Sequence, residues 1–414
     1  MRVVILDEEL PFPLNSGKRI RTGNLVARLA RRHEIEYVCY PPDDFRLRDA
    51  AKAHFEQLGV AVRYIDDRLP PNRGPAFAAR LLRNLASPRP YSVQKHVRGR
   101  LLRLVSRIAE ENPPDLWHCE WTPYAAACAG RVSQPWVLMA HNVESLIWRR
   151  FYENAKNPLK RRFLRQQWRK FASFERDMFA ATDRLVTVSA EDAALARREF
   201  SAGDVRVVDN GVDIGYFHPE DRPRSPRELL FLGSLDWFPN QDAGVLLLEE
   251  ILPRLRARFA DASLTVVGRR PPAWLSAKIA ATPGAALVAD APDVRPYLWR
   301  CAAAVVPLRI GGGSRLKILE ALAAKCPVVS TKIGAEGLDL APAEHFILAK
   351  DGAPFADAVA EHVYGAPARL AEITRAGHEK VIREYHWDAL ADKLDAVWTE
   401  TARLPSAAPE VALR

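Results

Sequence analysis

The sequence lacks the features that mark disulfide-rich, zinc-binding and membrane-spanning proteins. Its five cysteines are odd in number and form no C-x-x-C pair, which excludes a disulfide framework and a zinc knuckle. No stretch approaches 18 uninterrupted apolar residues, and the first segment, MRVVILDEEL, reaches acidic residues after a short apolar run. We therefore predict a cytoplasmic protein with neither a signal peptide nor a transmembrane helix.

Two common nucleotide-binding motifs are also missing. No G-x-G-x-x-G follows the first apolar run, as a dinucleotide fingerprint would require. A Walker A loop is excluded because Gly17 and Lys18 are followed by Arg19, and Phe12 occupies the position of its first glycine. Any nucleotide must be bound by another kind of loop.

Positive charge is in excess and unevenly distributed. The chain has 60 Lys and Arg against 51 Asp and Glu, a net charge of +9. Residues 1–217 carry +10 of this and the remainder −1. Such asymmetry indicates an acidic partner for the first half, namely nucleic acid, an anionic membrane or a phosphorylated substrate. The alternative is a set of solvated surface arginines.

Apolar runs alternate with helical patterns along all 414 residues, which predicts α/β architecture with two doubly wound parallel-sheet domains. A Pro-rich, charged segment, FHPEDRPRSPR at 217–227, indicates the linker between them. A single helix is predicted over residues 243–259. The predicted strands are 3–6, 35–40, 60–65, 116–119, 136–140, 185–189, 205–208, 229–232, 264–267, 286–289, 303–308, 328–331 and 346–349.

The densest chemical signal is the segment PLRIGGGSRLKILEALA at residues 307–323. A strand ends, three glycines follow, Ser314 can cap a helix, and Arg315 and Lys317 lie in the first helical turn. Cations at a helix N-terminus oppose the helix dipole unless an anion joins them. The pattern therefore predicts a phosphate site formed by backbone N–H groups, a guanidinium and an ammonium.

Glu320 lies one turn further along the same side of this helix, where a carboxylate could accept hydrogen bonds from sugar hydroxyls. The alternative is that the glycines form a tight turn and that the charged side chains are solvated. We favour the phosphate site because the two cations would otherwise be unfavourably placed.

Several motifs, in order along the chain, resemble family 4 of the retaining, GT-B fold glycosyltransferases. The resemblance covers nearly all of the chain. It is carried by Gly17 in a Pro/Asn-rich loop, HNVES at 141–145, DNGVD at 209–213, FLGSLDWFPN at 231–240 and GGGSRLKILEALAAKCPVVST at 311–331.

The resemblance implies two Rossmann-like domains facing across a cleft, with a C-terminal helix that returns to the N-terminal domain. The expected division is an acceptor-side domain at 1–217, a nucleotide-sugar-binding domain at 218–385, a cross-over helix at 386–404 and a flexible tail at 405–414.

The resemblance also implies roles for individual residues. Gly17 would offer its backbone to the donor phosphate, His141 would contact the transferred sugar, and Arg315 and Lys317 would hold the diphosphate. Glu320 would bind the ribose. The remaining donor-binding residues expected are those of the glycine loop, Gly311, Gly312, Gly313 and Ser314.

Two departures from the family pattern alter these expectations. The family commonly has a second glutamate where this chain has Gly312, so backbone amides of the loop must do more of the sugar recognition. The family often places an Arg and a Lys where this chain has the segment 234–237, so the two cations of the glycine loop are expected to act alone. Weaker candidates for the acceptor site or cleft are Glu144, Asp236 and Trp237.

The activity implied is transfer of a hexosyl-type sugar from a nucleotide-diphosphate sugar to a saccharide or lipid-linked acceptor, in polysaccharide or glycolipid biosynthesis. Fixed cations and N–H groups can stabilise the departing diphosphate, so no cofactor and no metal ion are expected. Two alternatives are a GT-B nucleotide-sugar isomerase and a catalytically silent nucleotide-sugar-binding protein.

The basic first half is expected to bind a surface. Residues 68–109 contain no acidic residue, and residues 148–171 interleave nine basic residues with six aromatic ones. No nucleic-acid-binding motif accompanies them, so nucleic acid is not an expected partner. We predict peripheral binding to an anionic membrane at its cytoplasmic face.

Overall fold

The computed structural model describes residues 1–155, 157–310 and 316–405. The chain divides into two compact units. The first is formed by Met1–Val208 together with the chain from Leu390 onward, and the second by Asp209–Ala389. The sequence-based boundary lies slightly further along the chain, after Phe217. The flexible tail predicted at 405–414 lies, apart from its first residue, outside the described residues.

The first unit is built on a seven-stranded sheet in the order β3-β2-β1-β4-β5-β6-β7, with every neighbouring pair parallel. Each apolar run predicted in this half forms one of these strands, as expected of sequences that must be buried on both faces of a parallel sheet. The strands are β1 (Arg2–Leu6), β2 (Glu34–Cys39), β3 (Val60–Tyr64), β4 (Leu116–Cys119), β5 (Trp136–Ala140), β6 (Arg184–Thr187) and β7 (Val205–Val207).

Helices connect these strands, as parallel pairing requires. They are α1 (Gly17–Leu29), α2 (Phe45–Gln57), α3 (Pro75–Leu85), α4 (Tyr91–His96), α5 (Gly99–Glu111), α6 (Ala125–Cys128), α7 (Glu144–Asn154), α8 (Pro158–Ala181) and α9 (Ala190–Phe200). A 3₁₀ turn, Thr122–Tyr124, precedes α6.

The second unit has a six-stranded parallel sheet in the order β10-β9-β8-β11-β12-β13. Its strands also confirm the predicted runs: β8 (Glu228–Ser234), β9 (Ser263–Arg269), β10 (Ala285–Ala289), β11 (Ala303–Val306), β12 (Val328–Ser330) and β13 (Ile347–Leu348). The helices are α10 (Phe238–Leu246), α11 (Leu252–Arg258), α12 (Ala273–Ala280), α13 (Arg295–Arg300), α14 (Leu316–Ala323), α15 (Ala353–Ala358), α16 (Pro367–Glu384) and α17 (Trp387–Ala402).

The single helix predicted over residues 243–259 is interrupted by a π-helical turn, Leu247–Ile251, between α10 and α11. Pro253 lies in the first turn of α11. Proline has no N–H to donate and its ring clashes with the carbonyl four residues earlier. The wider π turn accommodates this conflict, so the chain continues as a helix past the proline.

The last helix, α17, returns to the first unit from Leu390 onward, as predicted. Trp398 of this helix is only 1% exposed. Two side-chain contacts add to this burial: Glu400 Oε2 lies 2.7 Å from Arg184 Nη1, and Asp395 Oδ1 lies 2.6 Å from His33 Nε2. The end of the chain therefore contributes to the core of the first unit.

The described residues show the state of the cysteines and the character of the helices. All five cysteines are buried free thiols. None of the described helices is long and apolar enough to cross a membrane. Four of the five thiols nonetheless lie in two pairs, with Sγ atoms 3.5 Å apart for Cys119 and Cys128 and 3.3 Å apart for Cys301 and Cys326.

Candidate active site

Three polar residues follow the ends of neighbouring strands in the first unit. Asp7 follows β1, Glu120 follows β4 and His141 follows β5. The three strands are adjacent in the sheet and parallel, so their carboxyl ends lie at one edge. Open α/β sheets bind their ligands at this edge. The sequence predicted only the histidine of this group.

His141 is largely buried and contacts a carboxylate. Its Nε2 lies 3.0 Å from Glu120 Oε1, and its side chain is 11% exposed. Burial lowers the pKa of His141 in spite of the neighbouring negative charge. The imidazole is therefore neutral near pH 7.

Glu120 is the centre of the hydrogen-bond network around this histidine. Its Oε1 also accepts a 2.5 Å bond from the Thr22 hydroxyl, and its Oε2 lies 2.6 Å from His118 Nε2. Burial would raise the pKa of Glu120, but the hydrogen bonds from His118 and His141 hold it well below its usual range. The carboxylate is therefore ionised although only 3% of the residue is exposed.

The last helix joins this network. The indole Nε1 of Trp398 donates to Nδ1 of His118 over 3.0 Å. An indole nitrogen can only donate, so His118 Nδ1 must be unprotonated and its proton must lie on Nε2, facing Glu120. The contact fixes the tautomer of a buried histidine from a helix at the other end of the sequence.

A second buried charge cluster lies beside the first. Lys18 Nζ is 2.5 Å from Asp7 Oδ1 and 3.1 Å from Glu8 Oε1. Tyr37 donates its hydroxyl to the other Asp7 oxygen over 2.7 Å. Burial raises the pKa of Asp7 to about 7, although Lys18 acts in the opposite direction. Burial opposes the charge on Lys18, but Asp7 and Glu8 raise its pKa overall.

Gly17 lies next to this cluster. It is the exposed first residue of α1, and Ser16 caps the helix by accepting the backbone N–H of Arg19 over 3.4 Å. A helix N-terminus directs N–H groups and a positive dipole end outward, which suits an anion. The donor-phosphate role of Gly17 stays a prediction.

Glu144 opens α7 and accepts a 2.9 Å bond from the Trp121 indole N–H. Burial raises its pKa. The α7 N-terminus is capped by another carboxylate, since Glu175 accepts the backbone N–H groups of Glu144 over 2.6 Å and Ser145 over 3.1 Å. Glu175 is fully buried, and this burial raises its pKa to about 8. Trp121 and Glu175 thus hold Glu144 in place at the start of α7.

In the second unit, Lys317 lies in the first turn of α14. Its Nζ donates to Asn240 Oδ1 over 3.0 Å and lies 4.9 Å from the centre of the Phe231 ring. Asn240 is oriented in turn by donating to the Ser234 carbonyl over 2.9 Å. Gly233 makes room for this amide, because a Cβ at that position would lie 2.9 Å from its Cγ.

Glu320 follows one turn later on α14. Burial raises its pKa to about 7, while Lys317 acts to lower it. Among the described residues no side chain or backbone group donates a hydrogen bond to its carboxylate. It is therefore available to accept hydrogen bonds from a ligand whenever it is ionised.

Asp236 and Trp237, the weaker candidates of this unit, lie at the end of β8. Asp236 accepts the Ser234 hydroxyl over 2.8 Å and forms an ion pair with Arg270 over 2.9 Å. Trp237 is 52% exposed and is followed by the equally exposed Phe238, so it is not a core tryptophan. Both residues are accessible at the carboxyl edge of the sheet.

The glycine loop itself is not described. The predicted residues Gly311, Gly312, Gly313, Ser314 and Arg315 lie outside the described residues. Just before the loop, Arg309 forms two hydrogen bonds with Asp242, of 2.6 and 3.0 Å. Among the described residues, no group of three or more His, Cys, Asp and Glu side chains is arranged to hold a metal ion.

Sequence reasoning missed four residues of this edge: Asp7, Lys18, His118 and Glu120. One signal could have found two of them. Asp7 and Glu120 directly follow predicted strands, as His141 does, and a polar residue at the end of a buried strand is a candidate for the ligand edge. The two others depend on which helix packs against which strand.

Two family models match the chain in succession. The model described as Glycosyltransferase Family 4 matches residues 17–216, and the model described as Glycosyl transferases group 1 matches residues 226–363. A curated relative, D-inositol 3-phosphate glycosyltransferase of Segniliparus rotundus, is 29% identical over 263 residues. That match covers 58% of this chain and 57% of the relative, little more than half of its length.

Solved structures resemble the chain over almost all of its length. Sucrose-phosphate synthase from Thermosynechococcus elongatus has a TM-score of 0.69 at 16% identity, covering 96% of this chain and 98% of its own. HepE from Anabaena, solved in complex with UDP and glucose, has a TM-score of 0.64 at 12% identity, covering 97% of this chain and 100% of its own. At these identities the likeness shows a shared fold.

Proposed function

Since the chain belongs to the family 4, group 1 glycosyltransferases of the GT-B fold, we propose that it transfers a hexosyl-type sugar from a nucleotide-diphosphate sugar with retention of configuration. The acceptor we propose is a saccharide or a lipid-linked saccharide of polysaccharide or glycolipid biosynthesis. Family membership favours transfer over the isomerase and silent-binding alternatives.

The observation that supports this proposal is that Lys317 and Glu320 lie three residues apart on α14. The ammonium of Lys317 is held by a neutral amide 3.0 Å away, and the carboxylate of Glu320 accepts no hydrogen bond from a described residue. An ammonium forms charge-assisted bonds with a diphosphate, and a carboxylate accepts hydrogen bonds from ribose hydroxyls, so the two groups suit a nucleotide-diphosphate sugar.

The chemistry we propose is electrostatic. The diphosphate leaves with negative charge, and preorganised cations and N–H groups stabilise that charge as it develops. Lys317 supplies one cation and Arg315 the second, with N–H groups from the glycine loop and from Gly17. His141 contacts the transferred sugar, and a diphosphate oxygen on the same face helps to deprotonate the acceptor hydroxyl. No metal ion or cofactor takes part in this scheme.

Replacing Lys317 with alanine tests the proposed donor site. We expect UDP-, GDP- or dTDP-sugars to raise the melting temperature of the wild-type protein and Lys317→Ala to weaken binding of the stabilising nucleotide by about 10- to 100-fold, because a charge-assisted bond to phosphate is lost. Isothermal titration calorimetry gives the dissociation constants. The matched control is Lys278→Ala, which removes a lysine of the same unit that pairs with Glu249 and should leave binding unchanged.

The two possible failures have different meanings. A wild-type protein that none of these nucleotide sugars stabilises would contradict the proposed function. Equal affinities for wild type and Lys317→Ala would contradict the assignment of α14 as the donor site. The proposed activity would then have to use a donor site elsewhere in the chain.

We also propose an anionic membrane at the cytoplasmic face as a partner of the first unit. Helices α3 and α8 form a groove of about 920 Å³, here called the leucine–arginine groove. Its leucines are unusually exposed, at 68% for Leu82, 44% for Leu85 and 79% for Leu159. The polar part of its lining is mainly arginine: Arg162, Arg165 and Arg169. Apolar side chains bordered by cations match a bilayer surface with acidic headgroups.

The aromatic residues of the same region have a structural role instead. Trp148 stacks on Phe171 with ring centres 5.9 Å apart, and Tyr152 stacks on Trp168 at 5.7 Å. These pairs join α7 to α8. The leucines, and not these aromatic side chains, are therefore the apolar groups that we expect to meet lipid.

Membrane binding is tested by co-sedimentation with vesicles of phosphatidylglycerol and phosphatidylcholine at moderate salt. Because each basic residue near an anionic surface contributes about 1 kcal/mol, replacing Arg162, Arg165 and Arg169 with serine should lower the partition coefficient roughly 100-fold. A control variant with Arg31, Arg46 and Arg131 replaced by serine loses the same charge from exposed positions outside the two basic segments and should bind nearly as wild type. Equal loss in both variants would contradict the groove as the contact surface.

A further inference from the structure

Four side chains of the first unit form one continuous hydrogen-bonded chain from the last helix to the candidate active site. Trp398 donates to His118, His118 contacts Glu120, and Glu120 contacts His141, over 3.0, 2.6 and 3.0 Å. We propose that Glu120 is a positioning residue that holds the proton of His141 on Nε2, so that Nδ1 is presented to the substrate as a hydrogen-bond acceptor. This inference rests on the function proposed above.

The direction of each bond follows from what each group can do. The indole of Trp398 only donates, so His118 must accept through Nδ1 and donate through Nε2. Glu120 therefore receives a proton donor at Oε2 and the Thr22 hydroxyl at Oε1. An ionised carboxylate can only accept hydrogen bonds, so the bond between Glu120 and His141 must also be donated by the histidine.

His141 must consequently carry its proton on Nε2. A neutral imidazole with a proton on one nitrogen has a lone pair on the other, which here is Nδ1. Among the described residues, Nδ1 of His141 has no hydrogen-bond partner. The partner it can take is a hydrogen-bond donor, which a sugar hydroxyl provides and an ionised phosphate or a carbonyl does not.

The arrangement assigns a function to three groups that touch no substrate. Glu120 orients the ring and selects its tautomer, His118 delivers the second hydrogen bond that keeps Glu120 in place, and Trp398 selects the tautomer of His118. Outer partners that fix the tautomer of a metal-ligating histidine are worth about 10- to 100-fold in metal affinity or activity, and we expect an effect in the same range for a histidine that binds a sugar.

The tautomer of His141 is measured directly by ¹⁵N-histidine NMR, which distinguishes Nδ1–H from Nε2–H without any assay of activity. The chain has 10 histidines, and the spectra of His141→Asn and His118→Asn assign the two that matter. We expect the wild-type protein to show neutral His141 and neutral His118, each protonated on Nε2.

Glu120→Gln is the first variant. Because Trp398 holds the proton of His118 on Nε2, the amide oxygen must face His118, and the amide N–H₂ then faces His141. That N–H₂ can donate to Nε2 of His141 only if Nε2 gives up its proton, so the His141 signal should move to the Nδ1–H tautomer or to a mixture of the two. Sugar transfer should fall about 10- to 100-fold in kcat. The matched control is Glu36→Gln, which changes a buried carboxylate of the same unit that pairs with Arg2 and Arg63 and should leave both the His141 tautomer and kcat unchanged.

Trp398→Phe is the second variant, because it keeps an aromatic ring in place and removes only the donor. We expect His118 to lose its single tautomer and transfer to fall by a smaller factor than in Glu120→Gln. Trp117→Phe is its control, since Trp117 is equally buried and donates to Gln134 over 3.2 Å, outside the chain.

Three results would overturn the inference: a wild-type His141 protonated on Nδ1, a Glu120→Gln spectrum identical to wild type, or an altered tautomer in that variant with unchanged kcat. Failure of the proposed function is a separate outcome. If the wild-type protein transfers sugar from no nucleotide sugar, that function is contradicted, and the spectra still decide the tautomer.

Discussion

Replacing Lys18 with methionine should lower the free energy of unfolding of the first unit by about 3–5 kcal/mol at pH 8, because removing one partner of a buried ion pair leaves the other charge uncompensated. Lys18 contacts both Asp7 and Glu8, and Asp7 is only 1% exposed. The methionine side chain preserves most of the packing of the lysine stem, so the lost stability measures the effect of removing the charge. Urea denaturation followed by tryptophan fluorescence measures it.

The sign of the pH dependence follows from the raised pKa of Asp7, which burial brings to about 7. A carboxyl whose pKa is higher in the folded than in the unfolded state binds protons on folding, so its effect on stability becomes less favourable as pH rises from about 4 to above 7. The pKa of Asp7 should rise further without Lys18. The variant should therefore lose less stability at pH 6 than at pH 8.

A matched control separates this effect from lysine removal in general. Lys52 forms an exposed pair with Glu56 at 3.6 Å, and Lys52→Met should cost less than about 1 kcal/mol. A similarly small loss in Lys18→Met at pH 8 would contradict the view that the Asp7–Lys18 contact compensates a buried charge.

Two glycines of the second unit should respond to alanine with opposite signs. Gly268 pairs with Gly233 between β9 and β8, and a Cβ at Gly268 would lie 2.2 Å from the Gly233 carbonyl oxygen and 2.6 Å from Leu235 Cγ. The carbonyl belongs to the sheet and cannot withdraw without disturbing the ladder. We expect Gly268→Ala to destabilise the second unit by about 3 kcal/mol.

Gly244 is the control. It lies inside α10, and a Cβ there would meet only Leu275 Cδ1, at an ordinary 3.8 Å. Gly244→Ala should therefore stabilise the unit by about 0.5–1 kcal/mol through the better helix propensity of alanine. Denaturation of both variants under one condition measures the difference, and equal stabilities would show that β8 and β9 can separate to admit a methyl group.

Strands proved predictable because their signal is local. A short apolar run such as Trp136–Ala140, bounded by polar or turn residues, contains all the information that makes β5 a buried strand. The break in the helix before Pro253 was harder to predict. A proline inside a helical pattern can end the helix, kink it or, as here, be accommodated by a π-helical turn. The sequence does not distinguish these outcomes, since packing decides among them.

The arrangement of the candidate site residues could be predicted only where it is local. Lys317 and Glu320 lie in one continuous motif, and their spacing was enough to place both on one helix. The partners of His141 could not be predicted in this way, because Glu120 lies 21 residues away and Trp398 far beyond it. Their contact depends on the strand order β1-β4-β5 and on the return of α17 to the first unit, and no local sequence pattern predicts either of these.

The return of α17 also has a consequence for how the protein is made. A ribosome must synthesise the second unit between Val208 and Leu390 before the first unit receives its last helix. Domains of a nascent chain usually fold in the order of their synthesis. Here the unit that emerges first is finished last, and His118 gains its indole partner only when translation has passed Trp398. The nascent first unit therefore emerges from the ribosome with its strands complete and with His118, the histidine behind Glu120, not yet fixed in one tautomer.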